Sequence, residues 1–241
     1  MRRKYFLIVT LLFTISLFAQ EEVKSKDGKI IIMNADGTWK YKQSISNDLN
    51  NKKKYSSVKI GSQTWMTENL NVDHFRNGDP IPEVKTDAEW EKASNEKQPA
   101  YCYLNNDSSN GTKLGKLYNW YAVNDKRGLA PLGWHVPSLS EFELLAKTVN
   151  DSGNALKDIG QGEDGGIGTN KTGFSAFLTG IRDSYGHFQS GGQTSFWSST
   201  GHHVPTMAMT FCIWVLEDFC RTSGDDDQGC GNYVRCIKDV K

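Results

Sequence analysis

Apolar residues first gather in one run, Phe6 to Phe18, broken only by Thr10, Thr14 and Ser16 and preceded by Arg2, Arg3 and Lys4. A basic start, a short apolar run and the small Ala19 at its exit have the layout of a secretory signal, with cleavage expected after Ala19. At thirteen residues the run falls short of the roughly twenty that span a bilayer core. Beyond it, apolar and polar residues alternate in bursts from Val23 to Lys42 around two turn dipeptides, Asp27-Gly28 and Asp36-Gly37, with Ile30 to Ile32 before the second and Trp39 and Tyr41 after it. This pattern predicts a β-hairpin within residues 20–43. Residues 44–54 are polar, end in Lys52 to Lys54 and read as a solvated linker.

The main domain is expected over residues 55–241. Val58 and Ile60, then Trp65 and Leu70, flank a Gly61-Ser62 turn and predict two short strands. Thr86 with Glu89 three residues on, and Ser138 with Glu141 three residues on, each make the reciprocal pattern that satisfies free amide groups at a helix start. Trp90 anchors the first helix; Phe142, Leu145 and Val149 give the second its apolar face at helical spacing. From Gly153 to Gly192 glycines alternate with scattered aromatics, which predicts short strands joined by long ordered loops. The fold class is therefore α+β.

Composition excludes several roles. Lysine plus arginine number 28 and aspartate plus glutamate 28, so nucleic acid has no electrostatic footprint to follow. Removal of the signal leaves 25 basic against 28 acidic residues, a mildly acidic exported chain. Export would bring Cys102, Cys212, Cys220, Cys230 and Cys236 into an oxidising compartment, where one or two structural bridges and a spare thiol are expected from an odd count. No C-x-x-C spacing supports zinc.

The candidate chemistry is sparse. Asn106 to Leu117 places Gly111 sixth, as a calcium loop would, but ends in leucine where a bidentate glutamate is required. Asp225, Asp226 and Asp227 offer hard oxygen ligands, yet consecutive acids point apart and read as a solvated loop. Gly173 to Phe177 lacks the second glycine of a nucleophile elbow, so Ser175 reads as a strand residue. His135 has no acid and nucleophile spaced around it and is assigned a structural hydrogen-bonding role, while Glu141 is explained by its helix cap. No catalytic residue, cofactor or metal site is assigned.

Eight blocks recur in a recognisable order: IGSQTWMTENLNV, FRNGDPIP, YCYLNND, NGTKLGKLYNWYAV, LAPLGWHVPSLSEFELL, GTNKTGFSAFLTGIRDSYGHF, SFWSST and YVRCIKD. Together they resemble the Fibrobacter succinogenes major paralogous domain of secreted Bacteroidetes and Fibrobacteres proteins, over about residues 55 to 240. The resemblance implies a C-type-lectin-like α+β domain with two helices, small antiparallel sheets and long ordered loops, and no established activity. It places Cys102 and Cys236 within family blocks and so implies a disulfide between them. It also places Trp65, Trp120, Trp134 and Trp197 in family blocks, where a core role is expected. The calcium and sugar signatures EPN, QPD and WND of true lectins do not occur. A further resemblance, to formylglycine-generating enzymes, rests on GWHVPSLSEFELL and YVRC, but Cys230 and Cys236 do not match the spacing of that family's copper-binding pair.

The function expected is that of a secreted, non-catalytic surface or extracellular module, not membrane-spanning, that binds carbohydrate or another envelope component. An oxidase of the formylglycine-generating kind and a purely architectural interaction domain are the alternatives. Ligand choice is assigned to the less family-like segment from Thr200 to Gly231, with Trp214, Asp225, Asp226 and Asp227 as candidate ligand-binding residues.

Overall fold

The computed structural model describes residues 21–24, 30–33, 39–41, 54–190 and 192–240, and the chain divides at Ile45–Ser46 into two compact units. The expected signal segment and nearly all of the expected linker lie outside the described residues. Of the first unit, three strands are described: β1 (Glu21–Lys24), β2 (Ile30–Met33) and β3 (Trp39–Tyr41). They form one antiparallel sheet in chain order, with Val23 opposite Ile31 and Ile31 opposite Tyr41. A single hairpin was expected. Two Asp-Gly dipeptides, each lying in an interval between successive strands, allow two reversals and hence three strands.

The second unit opens with β4 (Ser57–Ile60) and β5 (Gln63–Met66). Between them Gly61 adopts φ +58°, a left-handed conformation that favours glycine. There follow α1 (Asp87–Asn95), β6 (Tyr101–Cys102), the single-turn α2 (Gly111–Leu114), β7 (Leu117–Tyr118), the single-turn α3 (Trp120–Val123) and β8 (Trp134–His135). The remainder comprises α4 (Leu139–Thr148), the single-turn α5 (Gly153–Leu156), β9 (Ile181–Arg182), β10 (Phe188–Gln189), β11 (Gln193–Gly201), β12 (Met207–Trp214), β13 (Cys220–Asp227) and β14 (Ile237–Lys238). Both expected capping boxes form, at Thr86 with Glu89 and at Ser138 with Glu141. The unit is α+β, with small antiparallel sheets. Among the described residues no helix is long and apolar enough to cross a membrane.

Two sheets organise the core. The larger is the antiparallel β11-β12-β13 sheet; the other, ordered β4-β5-β14-β8, places the last described strand between an early and a middle one. Helix α4 lies against the larger sheet, where Phe142 stacks on Phe211 with ring centres 4.8 Å apart and also meets Trp65 at 5.3 Å. Each such fully buried ring contributes about 1.5–3 kcal/mol of apolar transfer.

Three buried cations pin this core to the loops. The Arg235 guanidinium lies 4.4 Å from the centre of the Phe174 ring and 5.3 Å from that of Phe196, and donates to the Phe174 carbonyl and to Asn69 Oδ1. Its complete burial lowers its affinity for the proton to a pKa of about 9. Arg182 donates to the carbonyls of Gly186 and Val84 and to Asp87. Lys157 places its three N–H donors on Asn154 Oδ1, Gly166 O and Glu217 O at 2.9, 2.6 and 2.8 Å.

Several expectations are corrected. Trp65, Trp120 and Trp197 are buried, but Trp134 is only partly so, because β8 is the edge strand of its sheet. Ser175 is not a strand residue: it takes φ +58° in a loop, where Asn170 Oδ1 accepts its amide and Asn170 Nδ2 donates to its hydroxyl. The glycine-rich stretch from Gly153 to Gly192 contains the expected long loops and short strands, and also the helical turn α5. Asp225 to Asp227 do not form a loop. They end strand β13, with Asp227 opposite Met207 and Asp226 opposite Ala208.

Candidate functional site

Helix α4 turns Glu143 and Lys147 towards one face, and Asn150, just past its end, continues that face at helical spacing. Asn150 and Asp151 then take φ of +53° and +57°, two consecutive left-handed residues of the types that best tolerate it. This sharp turn brings the Asp151 carbonyl within 3.0 Å of the Cys220 amide and so fixes the helix end to the start of β13. Between helix and strand lies a cleft of about 470 Å³, floored by Ala146 and lined by Glu143, Lys147, Asn150, Asp151, Arg221 and Thr222.

Among the described residues, none of those six polar side chains hydrogen-bonds or ion-pairs with another group of the protein. Two carboxylates accept, an ammonium and a guanidinium donate, and the Asn150 amide and the Thr222 hydroxyl do both. The charges balance, two against two. Such a lining suits a neutral ligand rich in hydroxyl groups, each of which is both donor and acceptor. Trp214 flanks the cleft: the Arg221 guanidinium lies 5.1 Å from the centre of its ring, and Phe219 packs against it at 5.8 Å.

The four candidate ligand-binding residues are therefore split. Trp214 and Arg221 sit at the turn end of the β12–β13 pair, where Ile213 faces Cys220, and Asp225 to Asp227 sit at the other end. There the Asp226 carboxylate accepts from Asn232 Nδ2 at 2.8 Å and Asp227 accepts from the Gly229 amide at 2.8 Å. Among the described residues no group of three His, Cys, Asp or Glu side chains converges as a metal site. The cleft residues on α4 and Arg221 escaped the sequence reading because each lies on an ordinary amphipathic surface. Only the tertiary turn at Asn150-Asp151 brings them together.

His135 bridges two acids. Its Nε2 lies 2.8 Å from Glu141 Oε1 and its Nδ1 2.7 Å from Asp239 Oδ1, which places the C-terminal segment, β8 and the start of α4 in one contact. Burial works against the imidazolium, but the hydrogen bonds and charges of Glu141 and Asp239 outweigh it and hold its pKa above the usual histidine value. Glu141 is held below the usual carboxylate value: burial opposes this, and the Ser138 amide and His135 outweigh it.

All five cysteines are buried and free. Cys102 and Cys236 form no disulfide in the structure, and they belong to different hydrophobic clusters, Cys102 to that of Trp90 and Phe142, Cys236 to that of Tyr118 and Trp197. Burial pushes the thiols up, to about 11 for Cys102 and about 12 for Cys220 and Cys230, with Cys236 also displaced upwards. Thiolate chemistry is disfavoured at every one of these positions.

Comparison with known families matches residues 58–238 to the Fibrobacter succinogenes major domain, and the chain belongs to that family. No curated protein and no solved structure matches it.

Proposed function

We propose that this member of the Fibrobacter succinogenes major domain family is an exported, non-catalytic binding module of C-type-lectin-like architecture, and that it holds carbohydrate in the cleft between α4 and β13. The observation that carries the proposal is the convergence of six polar side chains, with balanced charge and no hydrogen-bond or ion-pair partners among the described residues, beside the Trp214 ring. A sugar offers both of the surfaces required. Its hydroxyls take up paired donors and acceptors, and its apolar ring face stacks on an aromatic side chain. Export is supported by the basic and apolar start ending at Ala19. The alternative of a copper-dependent oxidase loses support from the buried, proton-retaining state of Cys230 and Cys236.

The test is a glycan array probed with the full chain, with and without calcium, alongside Arg221→Ala and Asp151→Asn variants. Binding to a defined saccharide is expected without calcium. It should weaken at least about tenfold in each variant, while stability changes by no more than about 0.5 kcal/mol, as for other exposed substitutions. Saccharide binding that survives both substitutions would move the site elsewhere, and the absence of any array signal would end the carbohydrate reading.

A further inference from the structure

Two loops beside the cleft carry a second surface. Residues 158–168 and 214–219 expose Ile159 (76%), Ile167 (52%), Leu216 (55%) and Phe219 (36%), which are four of the eight large hydrophobic side chains exposed among the described residues. Scattered apolar residues on a surface need no explanation, but a concentration of them on adjoining loops marks a contact surface. The loops adjoin because the Glu163 amide donates to the Val215 carbonyl at 3.1 Å, while the Gly160 amide, donating to the Gly168 carbonyl at 3.4 Å, closes the first loop on itself. At Gly166 a Cβ would run into the Val215 carbonyl and the Glu217 amide, so this close approach requires glycine. Beneath them the buried Lys157 ammonium ties Gly166 to Glu217 through their carbonyls. The apolar tips are thus presented on loops already ordered, which removes much of the entropic cost of docking.

Charge identifies what docks there. The two segments hold five acids, Asp158, Glu163, Asp164, Glu217 and Asp218, and no lysine or arginine, in a chain whose acids and bases are equal in number overall. Glu163, Asp164, Glu217 and Asp218 are exposed around the apolar tips. An acidic rim repels an anionic lipid surface and complements a basic one. We propose that the loops 158–168 and 214–219 form a docking surface for a protein partner that presents an apolar centre rimmed by lysine or arginine. The surface adjoins the saccharide cleft where Phe219 packs on Trp214, but its exposed apolar tips and acids lie outside the cleft lining, so the proposal does not rest on saccharide binding.

The test uses the full chain and a fluorescent peptide of alternating leucine and lysine. One control peptide has serine in place of leucine, a second has glutamate in place of lysine, and the third control is anionic phosphatidylglycerol vesicles. The leucine–lysine peptide is expected to bind at least about tenfold more tightly than either control peptide. Its affinity should fall as salt rises from about 50 to about 300 mM. An Ile159→Ser/Leu216→Ser variant and a Glu163→Lys/Glu217→Lys variant should each lose at least about tenfold in affinity with melting temperatures unchanged, because all four side chains are exposed. The proposal is overturned by absence of peptide binding, by equal binding of the serine–lysine peptide, by unchanged affinity in both variants, or by binding of vesicles in preference to peptide.

Discussion

Replacing His135 by glutamine tests whether the imidazolium between Glu141 and Asp239 stabilises the fold. The folded-state pKa of His135 lies above its unfolded value, so its contribution is complete below the ordinary histidine pKa of about 6.5 and is lost as pH rises through the higher folded value. Glu141 behaves in the opposite sense. Its folded pKa is depressed, so its contribution is present above about 4.5 and is lost as pH falls through the folded value. Stability from this contact should therefore form a plateau between the two unfolded values and decline on the alkaline side through His135. A buried charge-assisted hydrogen bond would contribute about 1.5–3 kcal/mol. Here the His135, Glu141 and Asp239 side chains remain 38%, 29% and 51% exposed, so solvent screening reduces the whole contact to about 1 kcal/mol. For a domain of this size that corresponds to about 2–4 °C in melting temperature. Thermal melts of the native protein and His135→Gln at pH 6 and pH 8.5 supply the double difference, which cancels the other histidines. The native protein should lose about 2–4 °C more than the variant across that interval. Identical pH dependence in the two proteins, or a His135 titration by NMR at or below about 6.5, would refute the reasoning.

Trp65→Ala removes a fully buried ring and should cost about 3–5 kcal/mol in urea unfolding, whereas Trp134→Ala, on the edge strand β8, should cost no more than about half of that; equal losses would contradict the edge position. Arg235→Met leaves the Phe174 carbonyl and Asn69 Oδ1 without their donor and should destabilise by about 1–3 kcal/mol per orphaned group, and an unchanged unfolding midpoint would show that the cation is dispensable. All five thiols should resist an aromatic disulfide reagent at pH 8 in the native protein and react in guanidinium without prior reduction; a count below five in denaturant would reveal a disulfide.

Local structure in this chain was largely legible from its residues. Thr86 with Glu89 and Ser138 with Glu141 identify two helix starts because a capping box is complete within four residues, and Gly61-Ser62 identifies the first hairpin of the domain for the same reason. Long-range structure was not. Arg235 appears in the sequence as one more basic residue, because its partners Asn69, Phe174 and Phe196 lie far upstream. The acidic triplet reads as a solvated loop because consecutive acids point apart, but pairing of Asp226 and Asp227 with Ala208 and Met207 carries it into strand β13. The candidate site divides along the same line. Trp214 stood out as an isolated aromatic, while the α4 residues opposite it gain meaning only from a turn built of two left-handed residues.

The position of β14 governs when this domain can fold. Ile237 pairs with Trp65 on one side and with His135 on the other, so a strand made long after β8 closes a sheet whose other strands were made much earlier. A ribosome delivering the chain from its N-terminus releases β4, β5 and β8 with a gap where the fourth strand belongs. The open edges of β5 and β8, and the pocket that Arg235 will fill, stay unsatisfied until β14 and the residues just before it arrive. Closure of this sheet is thereby postponed until β14 has been made, and loss of this two-residue strand is far more damaging than its length suggests.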